Sequence, residues 1–213
     1  ISDGRGVVRI LGRRRKDSFN YDLEGKRYLF RRRDSRKWEE LSLTNGEDAN
    51  FDPHGVDPDL NVAFGLKDLD GRRAAFSKAL DGTGNERLVF AHPQVDVDGF
   101  VRIGRNGRIV GVTFATDKRE VVYFDPKLAK LAKALSSALP KLPMIRFIDS
   151  SQDESVLLLW AGSDVDPGHY YLLNRKTNAM EEVALDRPDI EPARLAQMKH
   201  ITYPAADGTM IPA

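Results

Sequence analysis

Short runs rich in β-branched and aromatic residues recur along this chain, as at residues 61–66, 74–78 and 87–90, with Asp, Gly and Asn clustered between the runs. Such runs bounded by turn residues predict strands, so the chain reads as mostly β. Residues 126–138 break the pattern. There Leu128, Leu131 and Leu135 recur at i, i+3 and i+7 behind Pro126, which predicts one amphipathic helix with proline in its first turn.

The strand pattern repeats. Asp59, Asn106 and Asp153 stand 47 residues apart, and each is followed three positions later by an apolar strand start, at Val62, Ile109 and Val156. The register continues through Phe64, Gly111 and Leu158, through Leu66, Thr113 and Trp160, and past the next turn to Phe76, Tyr123 and Tyr170. A further strand, Leu88-Val89-Phe90, matches Glu182-Val183-Ala184 two periods on, and the helix stands in its place in the middle unit. A repeat of this length is the mark of a propeller blade. Upstream, residues 28–33 and 38–43 repeat the strand, turn, strand pattern, and residues 3–10 read as the closing strands of a preceding unit.

The predicted fold is therefore all-β: a partial β-propeller of about four four-stranded blades over residues 1–198, with blade-like units at about 1–50, 51–98, 99–143 and 144–190 and one short inserted amphipathic helix. A β-sandwich or a three-sheet meander is the competing architecture. In the propeller, Val62, Phe64, Ile109, Val156 and Leu158, with Phe76, Tyr123 and Tyr170, point between packed blades, and their alternate neighbours are exposed.

Composition narrows the function classes. With 33 Lys and Arg against 32 Asp and Glu in 213 residues, the net charge is +1, and bulk electrostatics does not steer the chain to nucleic acid. Cysteine is absent, which removes disulfides, thiolate nucleophiles and cysteine-held metals. The most apolar run, residues 156–161, is far shorter than the roughly 20 residues of a membrane-spanning helix. Lys127, Lys130 and Lys133 fit a helix lying on its own sheet, with a membrane-surface role as the alternative, so no membrane partner is expected. The start at Ile1, with no apolar leader, fits a processed chain or an excised piece. Cytoplasm and periplasm both remain open, with the periplasm favoured.

Catalytic candidates are few. Ser150 and Ser151 lie in the polar turn Asp149-Ser-Ser-Gln-Asp-Glu154, not in a Gly-x-Ser-x-Gly elbow. His54, His92, His169 and His200 lie far apart without metal-ligand spacing. Asp96 and Asp98, and again Asp164 and Asp166, alternate with valine, yet they lack the ligand spacing of a calcium loop and read as turns. The basic runs 13–16 and 31–33 are diluted by Asp17, Asp22, Asp34 and Glu39 and read as solvated faces. The pairs Glu39-Glu40 and Glu181-Glu182 resemble amine-binding carboxylates, but neighbours on a strand point to opposite faces. The residues thus nominate no catalytic group, no metal ligand and no cofactor, and leave substrate-binding residues unknown.

Several segments together resemble a known family. They are Ser2-Asp-Gly-Arg-Gly-Val-Val-Arg9, Phe51-Asp-Pro-His-Gly-Val-Asp-Pro-Asp59, Ala91-His-Pro-Gln-Val-Asp-Val-Asp98, Asp149-Ser-Ser-Gln-Asp153, Ser163-Asp-Val-Asp-Pro-Gly-His-Tyr-Tyr171 and Ile201-Thr-Tyr-Pro-Ala-Ala-Asp-Gly-Thr-Met-Ile-Pro-Ala213. In this order they resemble the β-propeller of prolyl oligopeptidase family serine peptidases, in particular the bacterial acylaminoacyl peptidases and dipeptidyl aminopeptidases. The resemblance implies that residues 199–213 are exit strands leading into an α/β-hydrolase domain that this sequence does not include. It implies a parent hydrolase that cleaves short peptides through an acyl-enzyme, with the propeller gating and orienting the peptide substrates. The expected partners are that hydrolase domain and peptides. A propeller cut short would leave apolar sheet faces open, so self-association is expected over a partly disordered terminal blade. The alternative function is a stand-alone propeller-like module that binds a protein partner.

Overall fold

The computed structural model describes all residues except 17–20, 46–47, 105, 191–194, 200 and 213. The chain divides into two compact units, the first made of residues 1–115 and 120–122, the second of 116–119 and 123–213.

In the first unit β1 (Ile10–Lys16), β2 (Asp22–Phe30), β3 (Glu39–Asn45) and β4 (Asp48–Ala49) form an antiparallel sheet in chain order. A second sheet runs β5 (Asp52–Asp57), β6 (Val62–Leu69), β7 (Arg72–Ala79) and β8 (Glu86–Phe90), again in chain order. A third has three strands, β9 (Val97–Ile103), β10 (Arg108–Ala115) and β11 (Arg119–Tyr123). In chain order the helix α1 (Pro126–Ala138) comes next, after three strands rather than four. In the second unit β12 (Met144–Ser150), β13 (Val156–Ser163), β14 (Asp166–Asn174) and β15 (Ala179–Leu185) make a four-stranded sheet, and β16 (Thr202–Pro204) pairs with β17 (Met210–Pro212).

The 47-residue period is a period of structure: β7, β11 and β14 begin at 72, 119 and 166. Each sheet is an up-and-down meander joined by short turns, the strand order of a propeller blade, and the architecture is that of a partial β-propeller. In residues 1–9 Ser2 and Val8 form an isolated bridge, and Ile10 opens β1. The chain reverses over Gly4 and Gly6, both at positive φ, and Asp3 accepts the amides of Arg5 and Val7, so the segment folds on itself.

The core of the first two sheets is shared. Ile10, Tyr28, Phe30 and Leu41 pack with Phe51, Val56, Ala63, Ala74, Phe76 and Leu80. Arg9 is 2% exposed, its Nε donating to the Arg31 carbonyl and a terminal nitrogen to Asn61 Oδ1. The second and third sheets meet at Gly55, where an added Cβ would lie 2.6 Å from Ile109, and at the Phe64 and Phe100 rings.

The eight periodic positions are buried or half-buried, but their alternate neighbours are not exposed. Ala63 and Gly65, Val110 and Val112, and Leu157 and Leu159 are all buried. In β13 Leu157, Leu159 and Ala161 are fully buried, the two leucines one position from the predicted Val156 and Leu158. Central strands covered on both faces read as continuous apolar runs, so alternation is lost where it was invoked.

Candidate functional site

Two side-chain clusters concentrate the titratable groups. The first lies in the first unit. Tyr28 on β2 donates its hydroxyl to Asp52 Oδ1 at 2.6 Å, while His54, at the register shift two residues along β5, places Nε2 3.6 Å from Asp52 Oδ2. His54 stacks at a tilt on Phe100, and its carbonyl accepts from Arg102. The neighbouring His54 and the Tyr28 hydroxyl hold the Asp52 carboxyl below the usual carboxylate range against the opposing effect of burial. Burial and the same carboxylate push the Tyr28 phenol far above its ordinary value.

The second cluster lies in the second unit. His169 on β14 places Nε2 3.3 Å from Asp166 and Nδ1 3.1 Å from Glu182 on β15. Residues three apart on a regular strand face opposite ways. Here Gly168, at φ +111°, and the register shift between Ala161 and Ser163 break the alternation and bring Asp166 and His169 together. Nearby, Asp186 accepts from both Trp160 Nε1 and the Tyr170 hydroxyl, each at 3.1 Å, and the Arg146 guanidinium sits 4.1 Å over the Trp160 ring.

Both clusters pair a histidine with carboxylates, the orienting half of an acyl-transfer site. Among the described residues no serine or threonine hydroxyl is hydrogen-bonded to His54, His92 or His169, and no group of three His, Asp or Glu is poised to hold a metal. These arrangements can fix strands and present polar edges; they do not assemble a nucleophile with a base.

The remaining sequence candidates are distributed. Ser151 bonds to Asp153 and accepts the Val156 amide, and Ser150 donates to the Ser151 carbonyl. The Ser155 and Ser151 hydroxyls, with Lys176, hold the Asp153 carboxyl far below its ordinary value. Asp96 accepts the Arg73 amide, Asp98 accepts the Thr113 hydroxyl, and Asp164 accepts the Met198 amide. Glu39 pairs with Arg32 and Glu40 with Arg27, so these adjacent carboxylates are neutralised separately. Arg31 donates to the Val8 carbonyl and lies over Trp38, and Arg33 reaches the Asp59 carbonyl. His200 and Asp17 lie outside the described residues, as does the side chain of Asp22. Sequence reasoning missed both histidine clusters; the local signals were Asp52-x-His54 and Asp166-x-x-His169 around a glycine.

No protein-family model matches the chain, and no curated protein matches it. Solved structures do. The chain is similar to a prolyl endopeptidase at a TM-score of 0.55 and 14% identity, over 95% of this chain and 30% of that one. It is similar to prolyl oligopeptidase B from Galerina marginata at a TM-score of 0.54 and 10% identity, over 96% of this chain and 30% of that one. It is also similar to dipeptidyl peptidase 4 of Porphyromonas gingivalis at a TM-score of 0.51 and 10% identity, over 90% of this chain and 28% of that one. The resemblance read from the sequence thus has its counterpart in the fold, and the chain spans under a third of the length of each of these proteins.

Proposed function

We propose that this chain is propeller sequence from a serine peptidase of the prolyl oligopeptidase family, close to its acylaminoacyl and dipeptidyl aminopeptidase branch. In this reading it gates and orients peptide substrates for an α/β-hydrolase domain encoded beyond it. The observation that carries the reading is the similarity over 95% of this chain but only 30% of a prolyl endopeptidase.

Labelling with a fluorophosphonate serine reagent tests it. The product of the complete reading frame should be labelled at one serine outside residues 1–213, in a Gly-x-Ser-x-Gly segment, and the label should block cleavage of aminoacyl or acylaminoacyl chromogenic substrates. The 213-residue chain alone should stay unlabelled and inert. A reading frame without that segment, or an unlabelled and inactive product, overturns the proposal in favour of a binding module.

A further inference from the structure

The turn between β6 and β7 is made by Asp70 and Gly71, both at positive φ, and it delivers Arg72 and Arg73 to the mouth of a half-open cleft. Residues 91–93, which follow β8, form the other wall, and the cavity measures about 340 Å³. The polar lining is Asp70, Arg72, Arg73 and His92; Leu69 and Pro93 are among its apolar parts. Among the described residues neither arginine has an ion-pair partner, and both are exposed.

The walls are held in place. His92 Nδ1 accepts the amides of Gln94 and Val95 at 3.2 and 3.3 Å, which leaves the ring proton on Nε2 as a donor. The ring stacks on Phe114 at 4.8 Å, and Phe114 stacks on Phe90. The Arg73 amide is tied to Asp96 across the same corner.

We infer that this cleft binds the C-terminal carboxylate of a peptide. A guanidinium fork and an N–H donor match the lone pairs of a planar carboxylate. With Asp70 also present, two arginines leave the lining a net charge of one, which suits a monoanion rather than a doubly charged phosphate. The apolar lining takes the terminal side chain. The inference stands on the cleft itself and is independent of the peptidase reading, which the serine reagent tests separately.

The test is calorimetric or amide-resonance titration of the 213-residue chain with N-acetyl-trialanine as its free acid and as its C-terminal amide. The acid should bind saturably and the amide about tenfold more weakly or worse, as expected when charge-assisted bonds are lost. The double variant R72Q/R73Q should lose a further tenfold or more while keeping the wild-type melting temperature, since both side chains are exposed. H92F should weaken binding several-fold and H92Q, which restores an N–H donor, should recover part of it. Equal binding of acid and amide, no saturation by the acid at about 10 mM, or displacement of the acid by inorganic phosphate more readily than by acetate overturns the inference. If a variant does not fold, the comparison of acid with amide still decides.

Discussion

Gly168 sits at φ +111°, and a Cβ built on it would lie 2.1 Å from Trp160 Nε1. Replacing it with alanine combines backbone strain with a clash against a ring that Asp186 and Arg146 hold in place, so G168A should cost about 3 kcal/mol in urea unfolding. Gly71 separates the two causes: at φ +79° it has open space around it, and G71A should cost about 1 kcal/mol from strain alone. Equal losses at the two sites would mean that the Trp160 contact matters little. Tyr123 gives a pH signature. Its buried hydroxyl makes no well-formed hydrogen bond among the described residues, and desolvation, opposed by the nearby Phe147 backbone and Arg146, pushes its titration up to about 12. The folded state then holds a proton that the unfolded chain releases near pH 10, so stability is constant below pH 10 and falls by on the order of 2 kcal/mol as pH rises towards 12. Y123F should remove this tyrosine's part of that alkaline loss and leave neutral-pH stability equal or slightly higher, because a costly buried hydroxyl goes with it. An unchanged alkaline limb in Y123F, measured by denaturation from pH 8 to 12, would assign the loss to other groups.

At the scale of elements, α1 shows how an insertion is tolerated inside a repeat. Asp125 caps it by accepting the Lys127 amide, Pro126 occupies the first turn, and Leu128 and Leu135 are buried while Lys127, Lys130 and Lys133 are exposed. Its stability comes from the buried stripe rather than from propensity, because 13 residues make a marginal helix in water. L128A should therefore destabilise by about 3 kcal/mol, and K130A by no more than about 0.5 kcal/mol. If both substitutions prove equally mild in thermal unfolding, the helix is not docked through Leu128. Both leucines were legible from their spacing, as was the helix itself. The depth of β13 was not: in a run of Val-Leu-Leu-Leu-Trp with no polar residue, nothing local distinguishes the more buried face.

For the whole molecule, apolar side chains remain at the surface. Val183 is 46% and Leu185 49% exposed on β15, the edge of its sheet, and Tyr203, Met210 and Ile211 are exposed on the β16–β17 hairpin. Edge strands and apolar patches of this kind recruit partners. Sedimentation velocity of the isolated chain should show association that grows with concentration, and the double substitution V183K/L185K should shift it towards monomer. A wild-type chain that stays monomeric across the micromolar range would mean that these surfaces need no cover.

Repetition at 47 residues, turn chemistry and the leucine spacing of α1 are local or periodic properties, so the amino-acid sequence determined by itself the β class, the blade-like unit and the inserted helix. Side-chain partnerships across strands and sheets depend on register and bulges, which only the tertiary structure decided. Thus Tyr28 meets Asp52 across 24 positions, Gly168 turns His169 towards Asp166, and Ser2 meets Val8 in an isolated bridge. The cleft belongs to the same category, since Arg72, Arg73 and His92 line one cavity only once β7 and β8 have paired and the chain beyond β8 has turned back.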